Sequence, residues 1–147
     1  MYMRYLGIDY GAKRIGLALS DEDGRLAFPL EELENRGGAF VMETIRRIAV
    51  RDKVVAVIVG IPMTFGGVAG FQAQVVEKFG ENLKKTVQLP VVYENEVLST
   101  KLAERAHHAV HNALRTHRTG LDRPARMVNA SSAAIILQSY LDKIKHS

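Results

Sequence analysis

The sequence predicts a single α/β domain built on a mixed sheet, antiparallel at one side and parallel at the other, with helices on its faces. Two observations favour this class. The first thirty residues hold three strand-like segments joined by glycine-bounded turns, and the remainder alternates amphipathic helices with apolar strands. The 147 residues suffice for one hydrophobic core, so we expect residues 1–147 to form one domain.

The antiparallel part is predicted from three segments at the start of the chain. Residues 5–9 and 15–20 have the apolar character of strands, and Asp23-Gly24 is a favourable turn before a third strand at residues 26–30. Segments joined by such short turns pair as an antiparallel meander.

The parallel part is predicted from the alternation that follows. A helix is indicated by apolar residues at helical spacing: Val41, Ile45, Ile48 and Ala49. Residues 54–60 form a continuous apolar run, which is typical of a strand buried on both faces.

The second half of the chain continues the same pattern. We predict a helix marked by Phe71, Val75, Phe79 and Leu83, and a short strand at residues 91–93. A helix capped by Ser99 or Thr100 and ending near Leu114 is expected next. A final helix is predicted from one apolar stripe: Ala130, Ala134, Leu137, Leu141 and Ile144.

Composition and charge narrow the class of protein. No apolar run approaches the ~20 residues that cross a bilayer, and no signal-peptide pattern is present, so we expect a cytoplasmic protein without a membrane partner. The absence of cysteine excludes disulfides and thiolate chemistry.

The net charge of +4 attracts a polyanion only where it is concentrated. One segment is rich in positive charge: it contains Arg115, Arg118, Arg123 and Arg126 with a single acid, Asp122, although an ordinary solvated loop has the same composition.

Two acidic residues follow predicted strands and form the candidate site. Asp9 ends the first strand, and Glu96 follows the last one. Ligands in such sheets gather beyond the carboxyl ends of the parallel strands, so the two carboxylates meet if their strands are neighbours. Paired carboxylates suit Mg²⁺ or Mn²⁺ and leave coordination positions for water and phosphate. Lys13 and Arg14 would then lie close to a phosphodiester, although the same residues also fit an ordinary charged turn.

Three segments of the chain strongly resemble the YqgF family, also called RuvX. They are GIDYGAKRIGLALSD at the start, VVYENEVLST in the middle and NASSAAIILQSYLD at the end, with VIVGIPMTFGG where the family has a glycine-bearing loop. Members of this family are described as Holliday junction resolvases and as nucleases of precursor 16S ribosomal RNA.

The resemblance implies a ribonuclease H-like fold, a five-stranded sheet flanked by helices, and metal-dependent cleavage of nucleic-acid phosphodiesters. It implies precursor ribosomal RNA as a partner, or branched DNA. By that match Asp9 and Glu96 are the metal-binding carboxylates, and Asn129 stands at the third catalytic position. Lys13 and Arg14 are the basic residues that flank the site, and the arginine-rich segment defined above corresponds to a variable loop near the active face.

The chain departs from the family pattern at two places. It has Asn95-Glu96-Val97 where the family usually has Asp-Glu-Arg, and Asn129 where the family usually has an aspartate. An amide oxygen can coordinate Mg²⁺ but brings no negative charge. Three explanations stay open: Asp122 or Glu94 supplies the charge, one strongly held ion suffices, or catalysis is lost and a nucleic-acid-binding factor remains. A monomer and a homodimer are both compatible with the sequence.

Overall fold

The computed structural model describes residues 2–62, 70–95 and 128–145. They form one five-stranded sheet in the order β3-β2-β1-β4-β5 and three helices. The strands are β1 (Arg4–Asp9), β2 (Arg14–Ser20), β3 (Ala27–Glu34), β4 (Val54–Ile61) and β5 (Val91–Asn95), and the helices are α1 (Gly38–Arg51), α2 (Phe71–Val87) and α3 (Val128–Lys145). Within these ranges no helix is long and apolar enough to cross a membrane.

The antiparallel part consists of β1, β2 and β3, as the sequence predicts. The Asp23-Gly24 turn is present: Gly24 has φ +67°, and Asp21 Oδ1 accepts the backbone N–H groups of Arg25 and Leu26. The third strand is longer than predicted, because it continues past residue 30 to Glu34. Pro29 does not end it, since β3 is an edge strand and proline is tolerated where no outer neighbour needs its missing N–H.

The parallel part consists of β1, β4 and β5, with β4 paired to both of the others. Its central strand β4 is apolar on both faces because helices cover both. Val57 and Val59 pack in the core cluster that includes α1 and α2, whereas Ile58 packs in the cluster made with α3. The sheet therefore separates two layers, with α1 and α2 on one face and α3 on the other.

The predicted helix faces are largely confirmed, with corrections at their ends and at Val75, which is only partly buried because the buried stripe of α2 passes through Val76. All four apolar residues predicted to line α1 are buried. In α2, however, Phe71 is 81% exposed, because it is the first residue of the helix and the buried stripe starts at Ala73. In α3, Ile144 is 37% exposed near the carboxyl end. The helix predicted between residues 99 and 114 lies outside the described residues.

Candidate active site

Asp9 is the last residue of β1 and lies on the sheet face that α3 covers. Side chains alternate along a strand, so Asp9 shares its face with Gly7. A Cβ on Gly7 would lie 2.7 Å from the Leu137 Cβ and 2.9 Å from the Ala133 carbonyl oxygen, which places α3 directly on this face. Asp9 itself is half-buried. The first predicted carboxylate therefore sits at the boundary between the covered sheet and the open carboxyl end of β1.

Gly16 brings the start of α3 next to Asp9. Gly16 is the β2 partner of Asp9 in the sheet. A Cβ at this position would lie 1.9 Å from the Asn129 carbonyl oxygen and 2.8 Å from the Ala130 nitrogen, so only glycine admits the helix backbone here. Asn129 is the second residue of α3. Asp9 and Asn129, predicted from distant parts of the sequence, thus meet at one glycine.

Glu32 continues the row of paired residues that runs from Asp9 through Gly16 across the sheet, and no sequence pattern indicates a role for it. Glu32 is the β3 partner of Gly16, on the side opposite Asp9. Its Oε1 accepts the backbone N–H of Asn129 at 2.7 Å, and its Oε2 lies 3.7 Å from Nη1 of Arg14. The prediction ended the third strand at residue 30, so no local signal connected Glu32 with the start of the last helix, 97 positions away.

Lys13 and Arg14 lie beside Asp9, in and just after the turn that joins β1 to β2. The turn is tight, since a Cβ on Gly11 would lie 2.5 Å from the Arg14 carbonyl oxygen. The Asn35 side-chain amide donates to the Gly11 carbonyl at 3.0 Å, and the Asn35 N–H donates to the Lys13 carbonyl at 2.9 Å. Both basic side chains are exposed. Hydrogen bonds to Asn35 therefore hold a turn that carries two exposed basic residues next to the end of β1.

Glu94, one of the two acids considered as a replacement for the missing charge, is engaged elsewhere. It is 4% exposed, and its Oε1 accepts hydrogen bonds from Ser139 and Lys143, both on α3. Burial raises the pKa of the Tyr140 hydroxyl, and electrostatic interactions with Tyr5 and then with Glu94 raise it further. Because Lys143 balances the Glu94 charge, this carboxylate stabilises the packing of α3 on β5.

The other predicted site residues lie outside the described residues. They are Glu96, Asp122, Arg115, Arg118, Arg123 and Arg126. Among the described residues, no three acidic or histidine side chains form a group that could hold a metal. The two predicted residues that the described structure brings near one another at Gly16 are Asp9, which has a carboxylate, and Asn129, which has a side-chain amide. Both supply hard oxygen atoms, so their chemistry fits Mg²⁺ or Mn²⁺ as part of a ligand set.

Comparisons with solved structures identify the fold. Thermus thermophilus RuvC in complex with a Holliday junction substrate aligns with a TM-score of 0.63 at 18% identity, covering 98% of this chain and 96% of RuvC. The fowlpox virus resolvase in complex with Holliday junction DNA aligns with a TM-score of 0.56 at 12% identity, covering 97% and 99% of the two chains. The chain therefore has the ribonuclease H-like fold that its sequence implied.

Sequence comparisons identify the family. A protein of Rickettsia peacockii (strain Rustic) named "Putative pre-16S rRNA nuclease" is 34% identical over 143 residues, covering 96% of this chain and 87% of its own length. A protein of the same name from Caldanaerobacter subterraneus subsp. tengcongensis is 35% identical over 145 residues, covering 99% of this chain and its own full length. The family model described as "RuvX: Holliday junction resolvase" matches residues 3–143. The chain belongs to the RuvX family.

Proposed function

We propose that this protein is a metal-dependent nuclease that hydrolyses phosphodiester bonds in the precursor of 16S ribosomal RNA, with branched DNA as a second substrate class. Membership of the RuvX family and the names of the relatives support the reaction and both substrates. The observation that carries the proposal is the meeting of Asp9 and the start of α3 at Gly16. We further propose that residues 1–147 act as one nuclease domain.

Asp9 and Glu96 are proposed to hold the metal ion, Mg²⁺ or Mn²⁺. Asn129 is proposed to add a neutral amide oxygen at the third catalytic position. When bound, such an ion supplies an activated water and stabilises the leaving oxygen. Asp9 suits the role of ligand because it is half-buried at a strand end, where a carboxylate is partly shielded from water yet still open to substrate.

Lys13 and Arg14 are proposed to bind the phosphates that flank the scissile bond. Both side chains are exposed beside Asp9, and Arg14 is 57% exposed in spite of its contact with Glu32. Phosphate contacts of this kind fix the position of a strand without reading its sequence. The four arginines of the segment 115–126 are proposed to extend this contact along the nucleic acid. They are Arg115, Arg118, Arg123 and Arg126.

The proposal is tested with purified wild type, Asp9→Asn and a control variant, Asp23→Asn. The control removes the same charge from an exposed turn between β2 and β3. Each protein is incubated with precursor 16S ribosomal RNA and with a four-way DNA junction, in Mg²⁺, in Mn²⁺ and in chelator.

We expect cleavage by wild type and Asp23→Asn in either metal, none in chelator, and a loss of at least 100-fold in Asp9→Asn. Cleavage that persists unchanged in Asp9→Asn would refute the assignment of the site. The preferred substrate is the one with the higher kcat/KM in wild type.

A nucleic-acid-binding factor without catalysis is the second candidate. The observation that favours it is the neutral Asn129 at the start of α3, which brings no charge to hold a second dication. Under this alternative, wild type binds both substrates in a salt-dependent way and cleaves neither. Salt dependence alone does not separate the two functions because both use phosphate contacts, whereas dependence on metal does.

A further inference from the structure

We propose that Glu32 is a positioning residue of the nuclease site, which holds the start of α3 against Gly16 and orients Arg14 beside Asp9. This inference rests on the proposed function and extends it to a residue that neither the family resemblance nor the sequence pattern indicates. Glu32 is joined through its two carboxylate oxygens to two other elements: α3 through the Asn129 N–H, and β2 through Arg14.

The Glu32 carboxylate is buried, so it connects β3 to α3 and β2 within the protein and has little contact with solvent. Its side chain is only 9% exposed, although it projects from an edge strand of the sheet. A buried carboxylate is costly unless hydrogen bonds and a cation compensate it. Both are present, because the Asn129 N–H donates at 2.7 Å and the Arg14 guanidinium lies at 3.7 Å.

The hydrogen bond to Asn129 has a specific physical reason. The first N–H groups of a helix have no acceptor within the helix, and the helix dipole favours a negative charge at this end. Glu32, which lies in β3, supplies both the hydrogen-bond acceptor and the negative charge at the start of α3. Since Asp9, Gly16 and Glu32 are successive partners across β1, β2 and β3, this bond fixes the helix start over the same row that contains Asp9.

The contact between Glu32 and Arg14 restricts the orientation of the Arg14 guanidinium, which is proposed to bind phosphate. Arg14 keeps more than half of its side chain exposed while Glu32 lies at one side of its guanidinium. A carboxylate at this distance restrains the arginine and also competes with phosphate for it. Removal of the Glu32 charge should therefore leave nucleic-acid binding as tight or tighter while catalysis slows, which is the opposite of what simple loss of structure produces.

The test uses two substitutions that separate these connections. Glu32→Gln keeps an oxygen that accepts the Asn129 N–H but removes the charge facing Arg14, whereas Glu32→Ala removes both. Glu31→Gln is the matched control, with the same change at the neighbouring exposed glutamate of β3. Amide hydrogen exchange at Asn129 is followed by NMR on ¹⁵N-labelled protein, and kcat and KM are measured on precursor ribosomal RNA.

We expect the Asn129 N–H to exchange at least tenfold faster in Glu32→Ala and less than threefold faster in Glu32→Gln. In kinetics we expect kcat to fall at least tenfold in Glu32→Ala and about threefold in Glu32→Gln, with KM unchanged or lower in both. Glu31→Gln should match wild type in every measurement.

Two results would overturn the inference. One is unchanged Asn129 exchange in Glu32→Ala, which would mean that the carboxylate does not hold the helix. The other is accelerated exchange with wild-type kcat, which would mean that the helix start has no bearing on catalysis. If wild type cleaves neither substrate, the proposed nuclease function fails first, and Glu32 loses its role in catalysis even where the exchange results hold.

Discussion

Replacing Gly16 by alanine tests the packing on which the candidate site depends. The added Cβ would lie 1.9 Å from the Asn129 carbonyl oxygen and 2.2 Å from its carbon. Real Cβ atoms essentially never approach such atoms within 3.0 Å, so the carbonyl must retreat by about 1.1 Å, the difference between 3.0 and 1.9 Å. Because the atoms that are struck belong to the helix backbone, the start of α3 has to move away from Asp9.

The size of the effect follows from this displacement. Overpacking of a core typically costs about 1–3 kcal/mol, and a clash with backbone belongs at the upper end. For a chain of this length, ~3 kcal/mol lowers Tm by roughly 6–12 °C. A displacement of about 1 Å at a reacting centre can cost about 100-fold in rate. We therefore expect Gly16→Ala to be folded at 15 °C but nearly inactive.

Calorimetry gives Tm, and cleavage of precursor ribosomal RNA at 15 °C gives the rate. The matched control is Gly38→Ala at the start of α1, where an added Cβ meets nothing within 4 Å. This control should leave Tm unchanged or raise it, since alanine restricts the unfolded chain more than glycine does. A Gly16→Ala variant with wild-type Tm would refute the packing, and one with lowered Tm but wild-type cleavage at 15 °C would refute its link to the site.

Further substitutions probe other parts of the molecule. Asn129→Asp adds a carboxylate beside Asp9 and should tighten Mg²⁺ binding several-fold in titration calorimetry; unchanged affinity would mean that position 129 does not face the metal. Lys143→Met leaves the buried Glu94 carboxylate without its cation and should cost about 1 kcal/mol in urea unfolding at low salt, less at high salt; an unchanged midpoint would contradict this. Hydrogen bonds from Arg46 lower the pKa of Glu43 to about 2. The contribution of the ionised Glu43 to folding stability should therefore be fully present above the usual glutamate pKa and be lost as the pH falls through about 2. An NMR titration of Glu43 with a midpoint near 4 would contradict this prediction.

The sequence predicts most of the architecture because the signals involved are local. Alternation of apolar residues, the Asp23-Gly24 turn and the apolar run of β4 each determine their own element, and the mixed sheet follows from their order. The errors occur where tertiary context decides. The extent of β3 depends on its edge position, which permits Pro29 within a strand, and the exposure of Phe71 depends on where α2 begins to contact the sheet.

The candidate site is predictable only in part, for the same reason. Asp9 can be identified because it ends an apolar strand, and Asn129 because it matches a family motif. Glu32 leaves no such signal, since its significance comes from a hydrogen bond across 97 positions of sequence. Glu94 is an acid beside a strand end like the others, and only the structure shows that it pairs with Lys143.

The most direct test of the proposed metal site is paramagnetic broadening of amide NMR signals by Mn²⁺ in ¹⁵N-labelled protein. If a cation binds at the proposed site, substoichiometric Mn²⁺ should broaden the amide signals of Asp9, Gly16 and Asn129, while Gly24, at the opposite end of β2, stays sharp. Asp9→Asn should abolish this pattern. Broadening centred elsewhere, or the same broadening in Asp9→Asn, would contradict the central claim that Asp9 and the start of α3 together form the metal-dependent site.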